Sequence, residues 1–155
     1  FLSDVARSRL LTQADPQSLS RDDLALTAAF LIALTATLGA LFIGEVLGQM
    51  PCTLCWYQRI AMFPLVPILG LSLWRGDSMA RTYALPLALA GLALAAWHSG
   101  LYAGLLPAPV VPCTENGPSC TGEAQVILGL PIPYLSVAAF AAILICLFLP
   151  KGYRP

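Results

Sequence analysis

The chain alternates long apolar runs with short polar connections. Leu24 to Ile43 is twenty residues without a charge, enough at 1.5 Å per residue to cross a hydrocarbon core of about 30 Å. A second run, 56–74, begins and ends on tryptophan, has Arg59 as its only charge, and contains Pro64 and Pro67, which are expected to bend it. The third run, 82–106, holds His98 as its only ionisable group apart from tyrosines, and the fourth, 132–149, is followed by Lys151 and Arg154. Residues 1–23 mix acids and arginines and lack the apolar core of a secretory signal. They are expected to form a cytoplasmic tail, with a short amphipathic surface helix (Val5, Leu10 and Leu11 beside Arg7 and Arg9) as one option. The pattern predicts an all-α membrane protein: one integral domain over 1–155, a four-helix transmembrane bundle with two extracytoplasmic loops.

Composition agrees with this reading. Hydrophobic residues make up 58% and charged residues 10%, against about 25% charged in soluble domains, and nothing resembles a basic nucleic-acid footprint. The zero net charge hides an asymmetry. The tails and the turn at 75–81 carry Arg7, Arg9, Arg21, Arg75, Arg81, Lys151 and Arg154, while the opposite connections carry no Lys or Arg. The positive-inside rule then predicts cytoplasmic N- and C-termini.

Four of the five cysteines fall in the outward connections: Cys52 and Cys55 before the second span, Cys113 and Cys120 in a loop rich in Pro and Gly between 107 and 131. Such pairs persist as disulfides only on the oxidising side of a membrane, the side that the charges chose independently. Four cysteines allow three pairings. A helix starting just after Cys55 directs free amides and its positive dipole end at the sulfurs. Arg59, four residues on, falls on the same face as Cys55, so Cys55 is expected to be the better thiolate of the two.

Simpler readings exist for each residue. The cysteines could be structural staples, or four sulfurs around a zinc ion, which an oxidising compartment disfavours. Arg59 could snorkel to headgroups, and His98 could be a hydrogen-bonded packing residue. Cys146, deep in the fourth span, reads as a small buried apolar residue. Trp56, Tyr57, Trp97 and Tyr102 suit the membrane interface, and some of them could also wall a pocket. Residues 123–130 either lie along the surface or extend the next span.

In combination, Cys52-Thr-Leu-Cys55-Trp-Tyr-Gln-Arg59 opening a span, a second cysteine pair before the last span, and Leu128-Gly-Leu-Pro-Ile-Pro133 entering it resemble the disulfide bond formation protein B family, DsbB, especially its short BdbC-type members. The related vitamin K epoxide reductases place their Cys-x-x-Cys after the loop pair, the reverse of the order here. The resemblance implies an enzyme, a protein dithiol:quinone oxidoreductase of the bacterial inner membrane, with its redox cysteines facing the periplasm or cell exterior. It would reoxidise a soluble thioredoxin-like dithiol oxidase (DsbA-like) and pass the electrons to ubiquinone or menaquinone, the relay that keeps the bacterial periplasm oxidising.

The implied roles follow the motif positions. The partner's thiolate attacks the Cys113–Cys120 disulfide at Cys113, and the resulting dithiol reduces Cys52–Cys55. Cys55, supported by Arg59, passes electrons to the quinone, and Cys52 closes the disulfide. Arg59, His98 and Ile132 are the implied quinone neighbours, and no metal is implied. Cys113 and Cys120 are closer in sequence than in the enterobacterial branch, and Gln58 stands where some members have an acid.

Overall fold

The computed structural model describes residues 21–76, 80–106, 126–127 and 129–148. Cys113 and Cys120, most of their loop, the tail to residue 20, and Lys151 and Arg154 lie outside the described residues.

Helix α1 spans Arg21–Leu41 and continues as a π-helical turn over Phe42–Val46. It starts three residues before the apolar run because Asp22 and Asp23 occupy its first turn, where carboxylates complement the helix dipole. The second apolar run forms two helices, α2 (Thr53–Met62) and α3 (Leu65–Arg75). The break falls at Pro64, which has no N–H to continue the ladder, whereas Pro67 sits in the first turn of α3, where none is needed. Helix α4 spans Ala80–Tyr102, four residues short of the expected end. Its last carbonyls are closed by turn bonds from Ala103, Gly104 and Leu105, with Gly104 in the left-handed region (φ +70°).

A two-residue antiparallel hairpin, β1 (Val126–Ile127) and β2 (Leu130–Pro131), turns at Gly129 (φ +81°) and leads into α5 (Ile132–Phe148). The described part of the 123–130 segment is thus a small hairpin, neither a surface helix nor an extension of the span. Three stretches are long and apolar enough to cross a membrane: Arg21–Val46, Thr53–Arg75 and Arg81–Tyr102; α5 is a shorter apolar helix of 17 residues.

Helix α5 packs against α1 and α4, α4 against α2 and α3, and α1 against α3. The core is built on small residues. Ala84, Ala88, Gly91 and Ala95 recur at helical spacing on α4 and are buried. A Cβ on Gly91 would collide with the Phe140 ring, so only glycine lets α5 approach this closely. The same stripe continues one turn later to His98, which is why that residue points inward. Outside this core Leu24, Leu31, Leu38, Ile60, Leu89 and Ile145 stay exposed, as faces turned to lipid require. Asp22 accepts from Arg81 (3.2 Å), tying the starts of α1 and α4 at one end of the bundle.

Candidate functional site

At the opposite end, the chain leaves the π-turn, passes Met50 and Pro51, and enters α2 through Cys52. Cys52 is the helix N-cap: extended (φ −66°, ψ 165°), with its sulfur accepting the backbone N–H of Cys55 at 3.2 Å. This is the place usually taken by Ser or Asp. The two sulfurs lie 2.6 Å apart.

The two cysteines face different surroundings. Cys52 is 1% exposed and packs with Leu54 and Leu101, and His98 Nε2 stands 3.9 Å from its sulfur. Cys55 instead lines a cavity of about 340 Å³, within the size range of small-ligand pockets. The Cys52 thiol is drawn down to about 5, first by the hydrogen bond from the Cys55 thiol and then, against the opposing effect of burial, by His98. This corrects the expectation that Cys55 is the better thiolate: the capping position turns the sulfur of Cys52, not that of Cys55, toward the donors.

The cavity lies between α1, α2 and α5. Ala36, Gly39, Ala40 and Ile43 form one wall, Ile132, Leu135 and Ala139 another, and Phe63 and Phe140 supply the aromatic faces. None of Trp56, Tyr57, Trp97 and Tyr102 lines it. The first three are about half exposed, and Tyr102 meets Tyr134 edge to face at 5.8 Å. Arg59 lines the same cavity as Cys55. Its Nη2 donates to Ala40 O at 2.8 Å, its guanidinium lies 5.5 Å from the Trp56 ring centre, and Gly44 leaves room for it, since a Cβ there would stand 3.2 Å from Nη1. The acceptor comes from the turn just before the π-helix, where the regular ladder is disturbed.

The structure therefore brings Cys55, Arg59 and Ile132 to one cavity and leaves His98 outside its lining. His98 is fully buried behind Cys52, with Gln58 Nε2 3.0 Å from its Nδ1. Gln58 touches both the cavity and His98. Gln49, which sequence reasoning missed, lines the cavity with a buried side-chain oxygen that has no hydrogen-bond partner among the described residues. Its only signal in the sequence was its position three residues before Cys52.

Comparison with known proteins fits this site. A family model for "Disulfide bond formation protein DsbB" matches residues 22–150. The chain belongs to the DsbB family. A "Probable disulfide formation protein" from Metapseudomonas resinovorans is 51% identical over 125 residues, covering 80% of this chain and 87% of the relative. "Disulfide bond formation protein C" of Bacillus subtilis (strain 168) is 38% identical over 132 residues, 83% of this chain and 94% of the relative. A "Probable disulfide formation protein" from Deinococcus radiodurans is 39% identical over 138 residues, 83% and 90%. No solved structure matches. DsbB proteins are membrane proteins, as the apolar helices here require.

Proposed function

We propose that this chain is a membrane protein dithiol:quinone oxidoreductase that supports disulfide formation by reoxidising a soluble thioredoxin-fold dithiol protein. The observation that carries the proposal is the shared cavity: a redox-pair sulfur, a fixed positive charge and a mostly apolar lining meet in one small space.

The residues present fit a quinone head. The apolar walls suit its ring, the Arg59 guanidinium suits a ring oxygen, and the unpartnered Gln49 oxygen is an acceptor for a ring hydroxyl. When bound, the quinone supplies a sink for two electrons and two protons. Cys55, on the cavity wall, is the electron donor. Cys52, behind it, forms the S–S bond that leaves the pair oxidised. Arg59 orients the acceptor and favours negative charge on it, and Ile132 with Phe140 excludes water.

On the donor side Cys113 and Cys120 take electrons from the partner protein and hand them to Cys52–Cys55 by thiol–disulfide exchange. In this reading α5 is the fourth span, both termini are cytoplasmic and all four cysteines face outward.

Purified protein separates the two halves of the relay. With a small dithiol as donor, Cys55→Ser is expected to abolish quinone reduction, whereas Cys113→Ser and Cys120→Ser lose only the reaction driven by the protein partner. Normal dithiol-dependent quinone reduction by Cys55→Ser would overturn the proposal.

A further inference from the structure

We infer that Gln58 and His98 form a buried positioning pair for Cys52, holding the imidazole Nε2–H against its sulfur so that Cys52 serves as the charged nucleophile that closes the disulfide. The inference deepens the oxidoreductase reading and rests on it, but it assigns His98 to a sulfur instead of to the quinone.

Three observations support it. First, Gln58 presents its amide nitrogen to His98 Nδ1 at 3.0 Å. An amide N–H can only donate, so Nδ1 accepts, and a neutral ring must then carry its proton on Nε2. Second, that Nε2 is the ring atom 3.9 Å from Cys52 Sγ. The Cys52 sulfur thus faces two N–H donors, the Cys55 backbone and the imidazole, with the Cys55 sulfur also within hydrogen-bond reach. Each favours the anion over the thiol. Third, the arrangement is closed to solvent. His98 is 0%, Cys52 1% and Gln58 6% exposed, so these donors replace the water that would otherwise solvate the sulfur. Among the described residues, the titratable groups acting on Cys52 are Cys55 from its own helix and His98 from α4, and Leu54 and Leu101 complete an apolar surround.

The division of labour between the cysteines follows. Oxidation of the pair releases two electrons and two protons. The electron pair leaves through the Cys55 sulfur, which faces the cavity, to the quinone. The Cys52 sulfur, already anionic, forms the S–S bond to Cys55 as the Cys55 S–H bond breaks and its electron pair and proton pass to the quinone, which takes a second proton from solvent in place of the one Cys52 released earlier. One of the two protons has already left Cys52, so the closing step waits for no deprotonation in a site without water.

The test compares His98→Leu, His98→Gln and Gln58→Leu in the full-length protein. The first readout needs no quinone: the pH dependence of iodoacetamide alkylation of Cys52 in the fully reduced protein, followed by peptide mass spectrometry. His98→Leu is expected to move the curve upward by at least about one pH unit, roughly tenfold less thiolate at a given acidic pH. Gln58→Leu, which frees the tautomer, is expected to move it less. His98→Gln keeps an amide N–H near the Nε2 position and is expected to restore most of the shift.

The second readout is steady-state quinone reduction. In His98→Leu, kcat is expected to fall about twofold near pH 6 and approach a tenfold loss below about pH 5, recovering toward pH 9, with the quinone KM within twofold of the parent. An unmoved Cys52 curve in both His98→Leu and Gln58→Leu overturns the inference, as does a raised quinone KM with an unchanged curve, which would make His98 a quinone ligand. Should His98→Leu fail to fold, Gln58→Leu decides alone, by a shifted curve or an unshifted one. Failure of the oxidoreductase reading shows differently, as a parent protein that reduces no quinone while its Cys52 curve stays low.

Discussion

Arg59 is held on three sides before any ligand arrives: by the Ala40 carbonyl, the Trp56 face and the space that Gly44 leaves open. A charge fixed in this way pays little entropy on binding, so its contribution should appear in quinone affinity. A hydrogen bond to a charged group is worth about 1.5–3 kcal/mol. Steady-state kinetics of Arg59→Ala should therefore show a quinone KM raised about tenfold or more, with a smaller rise in Arg59→Lys, which keeps the charge but not the fork. Gly44→Val should act in the same direction by displacing the guanidinium, and an unchanged KM in both Arg59→Ala and Gly44→Val would remove Arg59 from the site. The i, i+4 spacing that puts Cys55 and Arg59 on one face was readable from the sequence. The Ala40 anchor was not, because it depends on a π-turn that no apolar periodicity signals. The orientation of Cys52 was also hidden, since it depends on which sulfur becomes the cap. His98 could be placed at the right depth from the sequence, but whether it met the ligand or a sulfur depended on which way the small-residue stripe of α4 faces.

At the scale of the helices, Gly91 against Phe140 is the described glycine with the least room for a side chain. Gly91→Leu should destabilise the protein by roughly 1–3 kcal/mol or more, because a packed interior accommodates extra methylenes only by shifting its neighbours. Thermal unfolding in detergent would register this as a lowered Tm. Trimming the ring in a Gly91→Ala/Phe140→Leu double variant should lose less than the sum of its two single changes. Additive losses would mean that the two residues do not share the contact. The apolar runs announced these helices because a charge-free stretch of such length has few other uses. Their ends were less legible, for ends are set by local chemistry: the acids in the first turn of α1, the missing N–H of Pro64, and the left-handed Gly104 beyond α4.

Across the whole molecule, the sequence supplied orientation and the structure supplied adjacency. Arg21, Arg75 and Arg81 lie toward one end, where Asp22 and Arg81 tie α1 to α4, and the Cys-x-x-Cys pair lies with Arg59 at the other. A membrane-impermeant maleimide added to intact reduced cells should therefore reach the Cys113 and Cys120 loop. Labelling only after the cells are broken open would reverse the proposed topology. Electrons would then travel from that loop, through Cys52 and Cys55, into a cavity bounded by α1, α2 and α5. The most direct test is the absorption spectrum of the reduced protein as quinone is added. With one negative charge shared across the contact between the two sulfurs, the Cys55 sulfur against the ring should give a new long-wavelength band that persists in Cys113→Ser, weakens in Arg59→Ala and vanishes in Cys55→Ser, whereas a spectrum that is only the sum of protein and quinone would contradict the placement of Cys55 at the acceptor.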